Sequence, residues 1–527
     1  MELQKLFEKK ATQEGHNSVR GGTVFAQPSK NVAQKQFDYS AAHKWAPNAD
    51  FGDIASFYPS RVEELGVLPQ EQLLALHEKY FTLWQAKMPI SKKLQEEGRK
   101  NMLFGVFGSY QKDWDTPVLP FAENCMGGHL TDVDGNEYID LQFGDTPSMF
   151  GHGPSNPAIR AAADSLMNFG IDPMMGTKEQ SVTCKELEKH FQLPVWMHAL
   201  TASDANRYML AIARCVSNRK NVAIANFAYH GTIDETQKVS PAAGVIARYN
   251  EMPQYHGDVD QGTKIFNWND IESLEAVLKD RDVAVVIMEP VMSNIGWAWP
   301  EADWHAQVRE ITRKYGTLLA YDETHTLGHA WNGSVGKQGI TDFDFWCCGK
   351  AISSGIPGAV FGMSREVADA CENWQAEAGF FAGAGLGFLG NALTGNTMST
   401  TALRVTMQEI MTPDVFDPLL EKCEMVLEGM EVVFEKYKAP FRAEMMGNRL
   451  CFHFMKDQAM EPLAGMTQLG FGGLFEFAHS YMWYNGLLIM PFFNMFLICP
   501  QHSEEDLYRF IEVFDDMVAI IMGKKEG

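Results

Sequence analysis

Reactive side chains recur in this 527-residue chain at one kind of position, directly after a short apolar run. Ser203 and Asp204 close a strand-like run that begins at His198, and they open a helical stretch, Ala205–Val216. Tyr229, His230 and Gly231 follow Val222–Ala228, and Glu289 and Pro290 end the run that starts at Val283. Asp322 and Glu323 end Leu318–Asp322, and Gly349 and Lys350 follow Phe343–Cys348. Apolar runs of this length, separated by helical patterns such as Trp304–Tyr315, predict buried parallel strands with helices on both faces. In such a sheet the C-terminal strand ends share one rim, and ligands bind there. A lysine, a carboxylate, an aromatic ring and a helix N-terminus are therefore predicted to converge.

That set has a specific chemical use. A lysine amine condenses with an aldehyde, and an incoming amine can displace it. A carboxylate beside a pyridine nitrogen keeps that nitrogen protonated, so the ring can accept electrons released at a substrate carbon. An aromatic side chain can lie on the ring face. A helix N-terminus with free N–H groups and a hydroxyl holds a phosphate dianion. Together these are the requirements of pyridoxal 5'-phosphate. The chain carries 44 Lys and Arg against 67 Asp and Glu, a formal net charge of -23. Such a chain repels nucleic-acid phosphates, and a bound phosphate must be held by local groups.

The remaining pattern sets the frame. Hydrophobic residues make up 46% of the chain, enough for a large core. The longest strongly apolar stretch, Leu487–Cys499, is too short to span a bilayer and holds Pro491 and Asn494. Nine scattered cysteines with no C-x-x-C pair predict reduced thiols in a cytoplasmic protein, with no disulfide frame and no metal site. Cys347 and Cys348 read as strand residues. Met1–Ala11 has the pattern of an amphipathic helix, and its acidic residues argue against a targeting peptide. The predicted organisation is an α/β protein with a large domain, 155–405, around a mostly parallel sheet. A smaller α+β domain joins 117–154 to 406–527. Residues 1–116 form a helical and irregular extension that reads as an appendage, with a helix over Glu71–Ala86.

The motifs, in order, resemble the class III pyridoxal-phosphate-dependent aminotransferases, nearest the branch of glutamate-1-semialdehyde aminomutase and β-amino-acid aminotransferases. Gly128–Asp140 (GHLTDVDGNEYID) matches the family's opening hairpin, and Pro147–His152 its P…GH turn. Thr201–Asn206 (TASDAN) stands at the S-G-T-E-A phosphate loop, Tyr229–Gly231 at Y-H-G, and Glu289-Pro290 at E-P. Tyr321–Thr326 (YDETHT) matches D-E-V-x-T, Gly349–Gly358 (GKAISSGIPG) the lysine motif, and Thr394–Asn396 the late S-G-N-P turn. The resemblance covers about residues 117–516.

It implies a fold-type-I enzyme that works as a homodimer on small molecules, an amino donor and a carbonyl acceptor. Lys350 would form the Schiff base, Asp322 would face the pyridine nitrogen, and Tyr229 would stack on the ring. Ala202, Ser203 and Asp204 would form the phosphate loop. Thr394 or Asn391 would replace the threonine that reaches the partner's phosphate in the family, because Ala392 stands in its place. The implied reaction is amino-group transfer through pyridoxamine phosphate. An isomerase, aminomutase or epimerase, uses the same residues, and a non-catalytic binding protein is the third reading.

Several residues keep two readings. His230 is a structural hydrogen-bonder or an acid–base group. Glu289 buttresses a strand end or lines the substrate side, and His325 reaches the cofactor's phenolic oxygen or packs its turn. Ser203 can cap the helix and hold phosphate at once. Arg449 reads as a structural residue before a carboxylate anchor. Tyr110 and Lys112 stand where the family often has a carboxylate-binding arginine. Trp297 and Trp299 suggest an apolar pocket wall, and Phe380–Gly395 a lid or interface loop.

Overall fold

A computed structural model of the chain describes residues 62–108, 118–171, 175–240, 262–294, 297–383, 389–454, 472–490 and 494–527, and the short strand Ala247–Arg248. Contacts divide the chain into Met1–Gly52 and Asp53–Gly527, and all of these residues lie in the second unit. The expected helix at Met1–Ala11, and Tyr110 and Lys112, fall outside the described residues.

Helices α1 (Gln70–Gln85) and α2 (Pro89–Gly98) precede a meander of β1 (Ala122–Met126), β2 (His129–Asp132) and β3 (Glu137–Asp140). Helix α3 (Pro157–Asn168) starts where Asn156 caps it and Pro157 presets its first turn. Helix α4 (Lys178–Phe191) leads into the large sheet. That sheet is built from β4 (Val195–Ala199), β5 (Asn221–Ala225), β6 (Thr263–Phe266), β7 (Val283–Met288), β8 (Leu318–Asp322), β9 (Phe345–Cys348) and β10 (Ala359–Met363). Helices α5 (Ala202–Ser217), α6 (Ile271–Leu278), α7 (Trp304–Tyr315) and α8 (Arg365–Gly383) connect or follow these strands. After them come α9 (Thr397–Val405), α10 (Pro413–Tyr437), β11 (Arg442–Met446), β12 (Arg449–His453), α11 (Leu474–Tyr484), β13 (Leu487–Leu488), β14 (Met495–Leu497) and α12 (Glu504–Ile521).

The large sheet runs in the order β4–β10–β9–β8–β7–β5–β6. All pairs are parallel except the two made by β10. Strands β7 to β10 are buried on both faces, which is why they read as unbroken apolar runs. Strand β10 is antiparallel because only residues 349–358 separate it from β9, too few for a crossover helix. The predicted strand at His198–Ser203 ends earlier, at Ala199. Thr201 turns extended there, its hydroxyl accepts the Asp204 N–H, and the helix begins at Ala202. The Phe380–Gly395 stretch is helix as far as Gly383 and a turn from Leu389 onward.

Residues 62–106 are not an appendage to the rest. Val62, Leu73, Trp84, Met88 and Val106 share one core with Tyr138, Phe452, Leu487 and Phe514. Tyr80 meets Tyr481 edge-on at 4.8 Å, and the Trp84 and Trp483 rings lie 5.1 Å apart. Trp84 Nε1 donates to the Tyr138 hydroxyl at 3.3 Å. Asp134, in the β2–β3 turn, accepts the Ile90 and Ser91 N–H groups at the start of α2. Strand β13 adds to β3 in parallel, Leu487 opposite Ile139, so the early meander and the C-terminal part build one sheet.

Trp84 is fully buried, and its removal leaves a large cavity and takes away the N–H that the Tyr138 hydroxyl accepts. Trp84→Ala is expected to cost about 3–5 kcal/mol in chemical denaturation. A cost below about 1 kcal/mol would mean that this segment does not belong to the core.

Candidate active site

Strands β9, β8, β7 and β5 are neighbours, and the first three are parallel in turn with the last. Their C-terminal ends therefore bring Lys350, Asp322, Glu289 and Tyr229 to one rim, with the N-terminus of α5 beside them.

Asp322 is buried, and its carboxylate is fully engaged. Oδ2 accepts from Asn206 Nδ2 at 2.8 Å and from His230 Nδ1 at 3.0 Å. Oδ1 accepts from the Thr324 N–H at 3.0 Å and the Thr324 hydroxyl at 2.6 Å. Burial alone would raise its pKa, but these donors, His230 first, hold it well below the usual carboxylate range. Asp322 is thus a fixed negative charge. His230 is its partner, and Nε2 on the far side of that ring is buried with no partner among the described residues. Asn206 also donates to the His230 carbonyl at 3.0 Å and accepts from Cys347 at 2.6 Å. Cys347 and Cys348 are buried, and burial pushes their thiols far up, so neither is a nucleophile.

Lys350 sits in the left-handed region, φ +48°, which a lysine adopts only where its surroundings impose it. Gly349 makes that turn possible. A Cβ there would lie 2.8 Å from the Ala202 side chain and 2.9 Å from its backbone nitrogen, so the lysine turn rests directly on the first residue of α5. Lys350 Nζ forms an ion pair with Asp145 and donates to His325 Nε2 at 2.7 Å. His325 Nδ1 then carries the hydrogen that Ser293 Oγ accepts at 3.0 Å, and Ser293 in turn donates to Glu289. Burial and the charge on Lys350 hold the His325 pKa down to about 3, so the ring is neutral. Burial raises the Glu289 carboxyl to about 7. A line of hydrogen bonds therefore runs from Lys350 to a carboxyl that can gain or lose a proton near neutrality. Burial, and then the Asp145 charge, raise the Tyr229 hydroxyl above its ordinary value.

Ser203 is at the second residue of α5, with Thr201 as the cap. Its hydroxyl accepts the Thr232 N–H at 3.0 Å. A Cβ on Gly231, φ +90°, would collide with the Ser203 hydroxyl and lie 2.9 Å from its Cα. Ala202, Ser203 and Thr232 thus crowd small side chains around a helix N-terminus, a shape that admits an anion. Asp204 is brought to the rim but is not available. Thr201 accepts its N–H, and its carboxylate accepts the Thr201 hydroxyl at 3.0 Å.

Thr394 is not part of this cluster within the chain. Its hydroxyl accepts the Asn391 N–H at 2.9 Å, and Gly395 next to it donates to His198. Trp297 is buried in the loop after β7, which the Met292–Ala298 bridge closes. Arg449 is buried at the start of β12, bonded to Thr146, and its charge is felt by Asp145 and His325. Asp145, Asn206, Ser293 and Thr324 are the site residues that sequence reasoning missed. Asn206 ends the TASDAN motif, and Thr324 follows Asp322 by two. Asp145 carries the weaker signal of a Phe-Gly-Asp-Thr turn, whose four residues all have positive φ.

A family model described as Aminotransferase class-III matches residues 110–502. Glutamate-1-semialdehyde 2,1-aminomutase 2 of Staphylococcus haemolyticus is 25% identical over 418 residues, 78% of this chain and 93% of its own length. The crystal structure of a glutamate-1-semialdehyde-aminomutase from Pseudomonas aeruginosa PAO1 superposes with a TM-score of 0.80 at 29% identity, covering 86% of this chain and 99% of that one. A variant of that enzyme is known in complex with PMP. A β-phenylalanine aminotransferase from Variovorax paradoxus shares the fold, with a TM-score of 0.73 at 19% identity over 86% of this chain and 98% of its own.

The raised carboxyl of Glu289 has a measurable consequence. In the unfolded chain it ionises near its ordinary value of 4.5, and in the folded chain near 7. Between those values the unfolded state binds fewer protons, so this group's contribution to stability falls as pH rises. Glu289→Gln keeps a partner for Ser293 and has no such proton. In denaturant titrations it is expected to gain stability relative to wild type, on the order of a kcal/mol or more, from about pH 5 to about pH 8. No gain, or a loss, would contradict the assignment.

Proposed function

The chain belongs to the aminotransferase class-III family, and from that premise we propose that it moves an amino group within one small molecule, as an aminomutase does. Pyridoxal 5'-phosphate is its cofactor. Bound there, it supplies an aldehyde that condenses with amines and a ring that accepts the electrons released when a neighbouring C–H bond breaks.

The residues present fit that group. The observation that carries the reading is that Lys350 and the ionised Asp322 stand on adjacent strand ends, beside a helix N-terminus that any larger side chain at Gly231 would fill. His230 Nε2, buried, has no partner among the described residues. In this proposal the α5 N-terminus, with Ser203 and Thr232, holds the phosphate. Asp322 keeps a proton on the pyridine nitrogen, and Asn206, His230 and Thr324 keep Asp322 charged. Tyr229 would cover the ring face. Lys350 Nζ would be the amine that holds the cofactor's aldehyde carbon, and when free it would take and return a proton at the substrate carbon. His325 orients Lys350 and connects it, through Ser293, to the protonatable Glu289.

Support for migration within one molecule comes from the relatives. Those matched over 93% and 99% of their own length bear the name glutamate-1-semialdehyde aminomutase. Transfer between an amino donor and a separate carbonyl acceptor uses the same residues, and the family description names it. The proposal also makes the protein a cytoplasmic homodimer, a reading supported by its nine free cysteines and by the Thr394–Asn396 turn, which the resemblance sets against a partner.

Purified protein given a panel of amino compounds should yield isomers that keep their amine, with no carbonyl acceptor required. Lys350→Ala should slow this by about 10²- to 10⁴-fold. Stoichiometric release of a ketone, followed by an absolute need for an acceptor, would replace migration with transfer. Full activity in Lys350→Ala would sink both readings.

A further inference from the structure

Asp145 is the one contact of Lys350 that the reading above leaves without a role. It sits in a turn where Phe143, Gly144, Asp145 and Thr146 all have positive φ, 47°, 63°, 61° and 93°. Three of these are not glycine, so the turn stores backbone strain that the surroundings must offset. The Phe143 side chain is fully buried and Thr146 is bonded to the buried Arg449, which pins both ends of the turn. The effect is to aim one carboxylate at Lys350 Nζ. That carboxylate keeps only 14% of its side-chain exposure.

We propose that Asp145 is the counter-ion of the Lys350 nitrogen, a positioning residue that keeps this nitrogen protonated when it is joined to the cofactor. The inference rests on the cofactor reading above. The titratable and charged groups facing Asp145 are Lys350 from the turn after β9, His325 from the turn after β8 and Arg449 from β12, with the Tyr229 hydroxyl near it after β5. His325 is neutral, so it adds no competing positive charge. Arg449 is charged at every accessible pH. It offsets part of the carboxylate's charge but cannot titrate. Glu289 lies on the far side of His325, and Asp322, bonded to Asn206, His230 and Thr324, would serve the other end of the ring. Of these groups, Asp145 alone is both negatively charged and paired directly with the Lys350 nitrogen.

The chemical reason is a matter of attack. A protonated C=N carbon is a better electrophile than a neutral one, so an incoming amine displaces Lys350 more readily. A carboxylate within ion-pair distance favours the protonated form and moves its midpoint upward by about one to three pH units. No redox or additional covalent step is needed, because the proton stays on the nitrogen that Lys350 already supplies.

The test is optical and does not depend on turnover. The protonated and neutral forms of the cofactor–lysine imine differ in colour, so the holoenzyme can be titrated by absorbance. Asp145→Asn is expected to lower the midpoint by at least about one pH unit. Asp145→Glu, which keeps the charge, should titrate near wild type, and a thermal melt separates either result from loss of fold. An unmoved midpoint in Asp145→Asn overturns the proposal, as does a midpoint in Asp145→Glu that falls as far as that of Asn. Absence of any imine colour in the wild type overturns this proposal and the cofactor reading together, whereas colour with unmoved midpoints overturns this proposal alone.

Discussion

An ionised carboxylate inside a protein is the constraint around which the rim is built. Burial opposes the charge on Asp322 by several kcal/mol unless donors replace its water. Four hydrogen bonds do so, from Asn206 on α5, His230 after β5 and both the backbone and the hydroxyl of Thr324. Supplying them fixes where α5 starts, how β5 ends and how the chain turns after β8. The same α5 that delivers Asn206 presents its N-terminus to Ser203 and Gly231, and Gly349 packs against its first residue. The positions of the negative charge, the anion cradle and the lysine are therefore mechanically linked through one helix.

Two negative charges are separated along the site. In the proposed site Asp322 would answer one end of the cofactor ring, Asp145 pairs with the nitrogen of Lys350, and His325 is kept neutral. In a chain of net charge -23 this distribution matters. In the proposed site the phosphate would be held by hydroxyls and backbone N–H groups near a helix end, where the macrodipole favours an anion. No lysine or arginine is assigned to it.

Much of this was legible in the sequence, for a physical reason. Strands buried on both faces are continuous apolar runs, so their ends were visible, and the proposed site residues Tyr229, Glu289, Asp322 and Lys350 lie at or within four residues of those ends. Ser203 was legible through its helix start, although Thr201 proved to be the cap. Spacing does not reveal that Thr201 engages both the N–H and the carboxylate of Asp204. Asp145 was hidden since its partner is 205 residues away and its turn carries no periodic pattern. The segment before residue 117 looked like an appendage because its helices are short. Only the structure reveals that α1 packs against α11, nearly 400 residues later, and that Asp134 caps α2.

The account stands or falls on which atom carries the cofactor. Holoenzyme treated with borohydride should retain the pyridoxyl group through denaturation, because the imine bond becomes a stable amine. Peptide mass spectrometry is then predicted to find the modification on Lys350 alone. A pyridoxyl group on another lysine, or none after reduction of a coloured holoenzyme, would contradict it.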